Sequence, residues 1–96
     1  MLTWVMYDIV KDKIRNKVSK CCEQAGIYRV QYSVFLGEMS RTKCKELTCK
    51  IEDLINPEID RVYIFPMCNE DFKSCHLLGQ AFDPELITNE IKAFFL

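Results

Sequence analysis

Residues 2–7, Leu-Thr-Trp-Val-Met-Tyr, form a near-continuous apolar run that stops on Asp8. A run this short, bounded by a charge, reads as a central strand covered on both faces. With 96 residues there is room for one domain, and a domain of this size buries only about 60–68% of its unfolded surface. A deep private pocket would consume the core that holds the strand, so a functional site belongs at the surface or between subunits.

The pattern after Asp8 names the covering elements. Asp12 reads as an N-cap, and Ile14, Val18, Cys21, Cys22 and Ala25 recur at helical spacing until Gly26, which predicts a helix over 13–25. Lys13, Lys17 and Lys20 line one flank of that apolar stripe and Arg15 the other. From Ile27 to Glu38 the period drops to two, with Val30, Tyr32, Val34 and Leu36 on one face and Arg29, Gln31, Ser33 and Phe35 on the other. This is either one long strand or two short ones joined near Tyr32. Ser40 caps a second helix with stripe Cys44, Leu47, Ile51, Leu54 and Ile55, ended by Asn56-Pro57. Arg61–Cys68 is a further strand whose Pro66 marks an edge or an end, and Ser74–Gly79 is a short additional strand.

The order βαββαβ specifies an α+β chain, a ferredoxin-like split βαβ sandwich with two helices on one face of an antiparallel sheet. A C-terminal strand and tail are added to it. The domain is expected over 1–82. In residues 83–96, Ile87, Ile91, Phe94 and Phe95 recur at helical spacing, so this tail is expected to dock on its own sheet or on a second subunit or partner.

Composition is that of an ordinary globular chain, and the net charge of −1 hides a division. Residues 1–50 hold ten Lys and Arg against five Asp and Glu, +5, while residues 51–96 hold three against nine, −6. The basic half suits an anionic partner. Of the six cysteines, four fall at apolar positions of helical patterns. Met1–Tyr7 also lacks the basic region of a signal peptide and meets Asp8 before its apolar core can form. Reduced, buried thiols in a cytoplasmic protein are expected rather than a disulfide scaffold. CxxC and His/Cys zinc spacings are absent, and no apolar stretch reaches the ~18 residues that cross a membrane.

Few polar residues stand where chemistry needs them. Asp8 lies at the C-terminal end of the first strand, where side chains leave the core; it is either a turn residue or a metal ligand. Mg²⁺ is commonly held by one or two carboxylates plus waters and phosphate oxygens, so two copies of Asp8 near a two-fold axis make a usable site. With His76 as the single histidine, no Ser-His-Asp arrangement is convincing, and three glycines leave no phosphate loop. Glu52, Asp53, Glu58 and Asp60 read as a solvated face. Lys11, Lys13, Lys17, Lys20, Arg29, Arg41, Lys43 and Lys45 are either phosphate contacts or a solvated basic surface.

Three segments carry a resemblance: Tyr7-Asp8-Ile9; Asp12-Lys13-Ile14-Arg15-Asn16-Lys17-Val18; and Gly26-x-x-Arg29-Val30-Gln31-Tyr32-Ser33-Val34-Phe35-x-Gly37-Glu38. Over roughly residues 1–67 the chain resembles the small CRISPR-associated protein of the Cas-two family. The resemblance implies a homodimer with its sheets face to face, the C-terminal strand crossing to extend the partner's sheet, and Asp8 binding Mg²⁺ at the interface. It implies a metal-dependent endonuclease acting on RNA or duplex DNA and taking part in spacer integration with the Cas-one integrase, or a non-catalytic dimeric DNA-binding scaffold of that complex. Carried over by position, Tyr7, Asp8, Arg15, Arg29 and Phe35 are the implied catalytic residues, and Lys13, Arg15, Lys17, Lys20 and Arg29 the implied nucleic-acid contacts. Lys17 stands where the family often has Arg, which keeps the charge and loses the planar fork.

Overall fold

The computed structural model describes residues 1–82. The apolar run forms β1 (Leu2–Asp8), and it is paired on both sides, antiparallel to β3 (Val34–Glu38) and antiparallel to β4 (Arg61–Met67). β2 (Tyr28–Gln31) pairs with β3, so the four-stranded sheet runs β2-β3-β1-β4. Helices α1 (Asp12–Gln24) and α2 (Arg41–Leu54) complete the expected α+β split βαβ plan.

Alternation along β1 divides the core in two. Val5, Tyr7 and the following Ile9 face the helices and meet Phe35, Val18, Cys22, Leu47 and Ile51. Leu2 and Trp4 face the other way and meet Val30 and Leu36. Both predicted helical stripes contribute to the first cluster, from Ile14 to Ala25 on α1 and from Cys44 to Ile55 around α2. Burying a side chain such as Leu47 or Ile51 contributes about 1.5–3 kcal/mol, which is what fastens each helix to the sheet.

The ends of the elements sharpen the sequence reading. α1 begins after Lys11, whose backbone is extended, and Asp12 is its first residue rather than its cap. The Asp12 carboxylate turns forward instead, to an ion pair with Arg15 at 2.7 Å. Gly26 follows α1 with φ +85, the left-handed conformation that ends a helix cheaply only at glycine. Ser40 caps α2 as expected, its hydroxyl accepting from the Lys43 backbone N–H at 3.2 Å. The alternating stretch from Ile27 is two strands with a turn at Tyr32–Ser33, and the β2–β3 register shifts between Arg29 and Gln31. β4 stops at Met67 and pairs with β1 alone among the described strands, an edge position compatible with Pro66.

The segment after β4 departs from expectation. Asn69–Lys73 forms a short helix, α3, and residues 74–79 are not a strand. The chain curls over the sheet face that α1 and α2 leave free, the helix-free face in the sense that neither long helix covers it, with Phe72 of α3 and Phe82 against Trp4 at ring separations of 6.1 and 6.2 Å. Gly79 turns it at φ +62, and the Gln31 amide donates to the Gln80 carbonyl. A left-handed turn and two aromatic contacts on one ring are incompatible with an extended ribbon through 74–79. The tail over 83–96 lies outside the described residues.

Gly37 lies hard against Ile27, just ahead of β2. A Cβ there would lie 2.6 Å from Ile27 Cγ2 and 2.8 Å from the Ile27 Cα, a backbone atom that cannot swing away. Gly37→Ala should destabilise the protein by about 1–3 kcal/mol, read as a lower urea midpoint at unchanged m-value.

Candidate functional site

β1 carries Tyr7 and Asp8 to the same end of the sheet and, by alternation, to opposite faces. Tyr7 is buried on the helix side. Asp8, following the parity of Leu2, Trp4 and Met6, projects from the helix-free face and is exposed. Its side chain makes no hydrogen bond or ion pair among the described residues. β1 lies inside the sheet, so neighbours flank Asp8 on both sides. On one, the Tyr7 N–H donates to the Ser33 carbonyl at 3.1 Å, which draws in the turn carrying Tyr32, 71% exposed. On the other, Arg61 at the start of β4 stands directly opposite Asp8 in the register.

The loop leaving Asp8 is pinned from two directions. The Val10 N–H donates to Asp60 Oδ1 at 3.0 Å, while the Asn56 N–H donates to Asp60 Oδ2 at 2.9 Å. One buried carboxylate thereby ties the β1–α1 loop to the α2–β4 loop. Those two backbone donors, aided by Lys11, hold the Asp60 carboxyl below the usual carboxylate range. Arg15 braces the same loop, its Nε donating to the Ile9 carbonyl at 3.4 Å. Asp60 thus departs from the solvated face expected for it with Glu52, Asp53 and Glu58, which are exposed. Two backbone amides converge on it because it ends the Asn56–Asp60 turn, where a carboxylate is the natural acceptor.

On the helix side, Tyr7, Ser19, Arg29 and Phe35 form a second constellation. The Arg29 guanidinium lies over the Phe35 ring at 5.1 Å and donates through Nη2 to the Ser19 hydroxyl. The Tyr7 ring stacks on Phe35 at 6.4 Å, and its hydroxyl donates to the Tyr32 carbonyl at 3.4 Å. Burial pushes the Tyr7 phenol up, with Arg29 opposing it. Burial, with Cys21 beside it, pushes the Cys22 thiol up to about 12, so this sulfur stays protonated and inert. Arg29 Nε is buried without a hydrogen-bond partner. The implied catalytic set is therefore divided within one chain. Asp8 stands on the helix-free face, Tyr7, Arg29 and Phe35 support the β2–β3 turn from beneath, and Arg15 braces the intervening loop. Lys13, Lys17 and Lys20 are exposed along α1.

All six cysteines are free. Only Cys22 is fully buried, and Cys49 and Cys68 are exposed, which corrects the expectation of buried thiols throughout. Cys49 lies off the α2 stripe, roughly 200° around the helix from Leu47, and its exposure follows from that spacing.

The family model for CRISPR associated protein Cas2 matches residues 1–75. The chain belongs to the Cas2 family. It is 40% identical over 73 residues to a Desulforudis audaxviator protein named CRISPR-associated endoribonuclease Cas2, covering 76% of this chain and 69% of the relative. A Korarchaeum cryptofilum protein of the same name is 31% identical over 80 residues, covering 79% and 82%. Among solved structures, Streptococcus pyogenes Cas2 at pH 6.5 superposes with a TM-score of 0.67 at 22% identity, over 82% of this chain and all (100%) of that one, a likeness of fold. A second structure described as Cas2 gives 0.61 at 30% identity, over 82% and 86%. The match ends at residue 75, near where the chain turns back over Trp4. No helix among the described residues is long and apolar enough to cross a membrane.

The Asp60 tether has a pH signature. Its folded-state pKa is depressed, so its contribution to stability is present above the unfolded value of about 3.9 and is lost as pH falls through the lower folded value. Asp60→Asn should therefore lower the urea midpoint at pH 7, and the gap from the unsubstituted protein should close in titrations carried below about pH 4.

Proposed function

We propose that the chain is a metal-dependent endonuclease of the CRISPR adaptation machinery, cutting phosphodiester bonds of RNA or DNA and joining spacer integration as the partner of the Cas-one integrase. The observation that carries the chemistry is the Asp8 carboxylate, exposed and without a partner among the described residues at the end of an interior strand. Relatives named endoribonuclease favour RNA as substrate.

Asp8 suits Mg²⁺. Among the described residues no group of three or more His, Cys, Asp or Glu is disposed to hold a metal. Mg²⁺ nonetheless takes only one or two carboxylates from protein and keeps several waters, and Asp8 supplies one of them. Bound there, Mg²⁺ supplies charge neutralisation at the phosphate and a water of lowered pKa. The rest is positioning. Asp60 and Arg15 fix the loop behind the carboxylate, while Tyr7, Arg29 and Phe35 hold the Tyr32 turn beside it.

A homodimer fits the same reading. The helix-free face exposes Tyr63 and Phe65, stacked at 6.2 Å. Beside them a cavity of about 390 Å³ lies between Trp4, Met6, Val34, Phe65 and Met67 of the sheet and Cys75, His76, Leu77 and Ala81 of the chain's own returning segment. A second copy covering this apolar surface would bring up a second Asp8. Six free thiols suit a reducing cytoplasm.

Asp8→Asn should lower Mg²⁺-dependent cleavage of single-stranded RNA at least about 100-fold with an unchanged circular dichroism spectrum; cleavage at the original rate would refute the mechanism.

The exposed row Lys13, Lys17 and Lys20 on α1 favours a second reading, a DNA-holding scaffold for the integrase, because a regular basic row binds backbone phosphates without chemistry. Spacer acquisition in cells separates the two: a scaffold stays competent with Asp8→Asn and fails when the three lysines become glutamines.

A further inference from the structure

Residues 51–96 contain three basic residues against nine acidic ones, and the fold takes one of the three, Arg61, to the end of the sheet where Asp8 projects. The two are direct partners in the β1–β4 register. Antiparallel partners share a face with Cβ atoms about 4.5–5.5 Å apart, so the guanidinium leaves the same side of the sheet as the carboxylate. Both residues are exposed. Neither side chain makes a hydrogen bond or an ion pair among the described residues. Next along the same face of β4 are Tyr63 and Phe65, which offer no competing charge.

We propose that Arg61 is a phosphate-binding residue of the Asp8 site, gripping the backbone of the nucleic-acid strand at the phosphate next to the carboxylate. The proposal rests on the nuclease reading of Asp8 and adds a residue to it. A lone carboxylate repels an incoming phosphodiester, and a guanidinium on the adjacent strand cancels that repulsion. It also offers two parallel N–H donors to two phosphate oxygens. An arginine committed to an ion pair or to the core would be unavailable, and among the described residues this one is exposed and has neither commitment. Arg29, by contrast, is engaged beneath the sheet with Ser19 and Phe35. Of the arginines around Asp8, Arg61 is the one directly beside it on the helix-free face.

The test reads binding apart from cleavage. Fluorescence anisotropy with a single-stranded RNA oligonucleotide in EDTA should show Arg61→Ala weakened about tenfold, with the slope of log affinity against log salt smaller by about 0.7, one phosphate contact on a single strand. Arg61→Lys should restore the slope and only part of the affinity. Unmasking of Asp8 is separated by a cycle: Asp8→Asn with Arg61→Ala should bind more weakly than Asp8→Asn alone. Wild-type affinity and slope in Arg61→Ala, or equal binding by Asp8→Asn and the double variant, would overturn the proposal. Arg61→Gln, which is shorter and uncharged but keeps a polar, hydrogen-bonding end, should match Arg61→Ala in slope and guards against a folding defect. Asp8→Asn cleaving RNA in Mg²⁺ at the original rate would overturn the nuclease reading instead, and the EDTA binding results would stand unaffected.

Discussion

The register of β1 governs the molecule. This strand is hydrogen-bonded to β3 on one side and to β4 on the other, and side chains on both its faces are buried. A slip by one residue would send Val5 and Tyr7 to the helix-free face and carry Asp8 into an apolar core. The same pairing that satisfies the backbone therefore decides that the charge at position 8 meets solvent, and that it does so between the Tyr32 turn and Arg61. Burial of Val5, Tyr7 and Ile9 beneath α1 and α2 protects that choice, because undoing it would strip several large side chains from one core and force them into another.

A division of labour across the sheet follows. Reactive-looking residues beneath it are occupied. Arg29 sits over Phe35 and against Ser19, Tyr7 reaches the Tyr32 carbonyl, and Cys22 is held as a thiol. Buried polar groups of this kind are costly unless paired, and their placement is explained by the turn they support. Above the sheet, Asp8 and Arg61 are both exposed and unpaired among the described residues. Shape is thus set on one face and charge is presented on the other, with Asp60 and Arg15 joining the two at the loop after β1.

Much of this was legible from sequence because period and burial were strong. The unbroken run Leu2–Tyr7, the stripe from Cys44 to Ile55 and the Ser40 cap each have a local physical cause, and each is found where that cause puts it. Asp8 was legible for the same reason, a charge ending an apolar strand. What escaped depends on contacts between distant residues. Asp60 receives the Val10 amide from fifty positions away, and Arg61 gains its meaning only from the β4 register. Asp12 is the first residue of α1 rather than its cap, and its carboxylate is taken by Arg15 instead of the backbone amides a cap would serve. The segment after Met67 misled because its alternation is indistinguishable from that of a strand until Trp4 supplies a ring for Phe72 and Phe82 to cover.

Pro66 has a consequence for the outer border of the sheet. Among the described strands β4 pairs with β1 alone, which leaves its far side a template of donors and acceptors from Arg61 onward. Proline has no N–H, and Pro66 stands opposite Thr3, which shares the parity of Tyr7, whose N–H turns to the β3 side; the pair is a non-hydrogen-bonded one and the missing donor faces outward. Any ribbon added along this border can be bonded over the stretch from Arg61 to Phe65 and loses a rung at Pro66. The sheet can therefore be lengthened by a short segment but is poorly suited to unlimited growth, and one imino acid acts as the ruler.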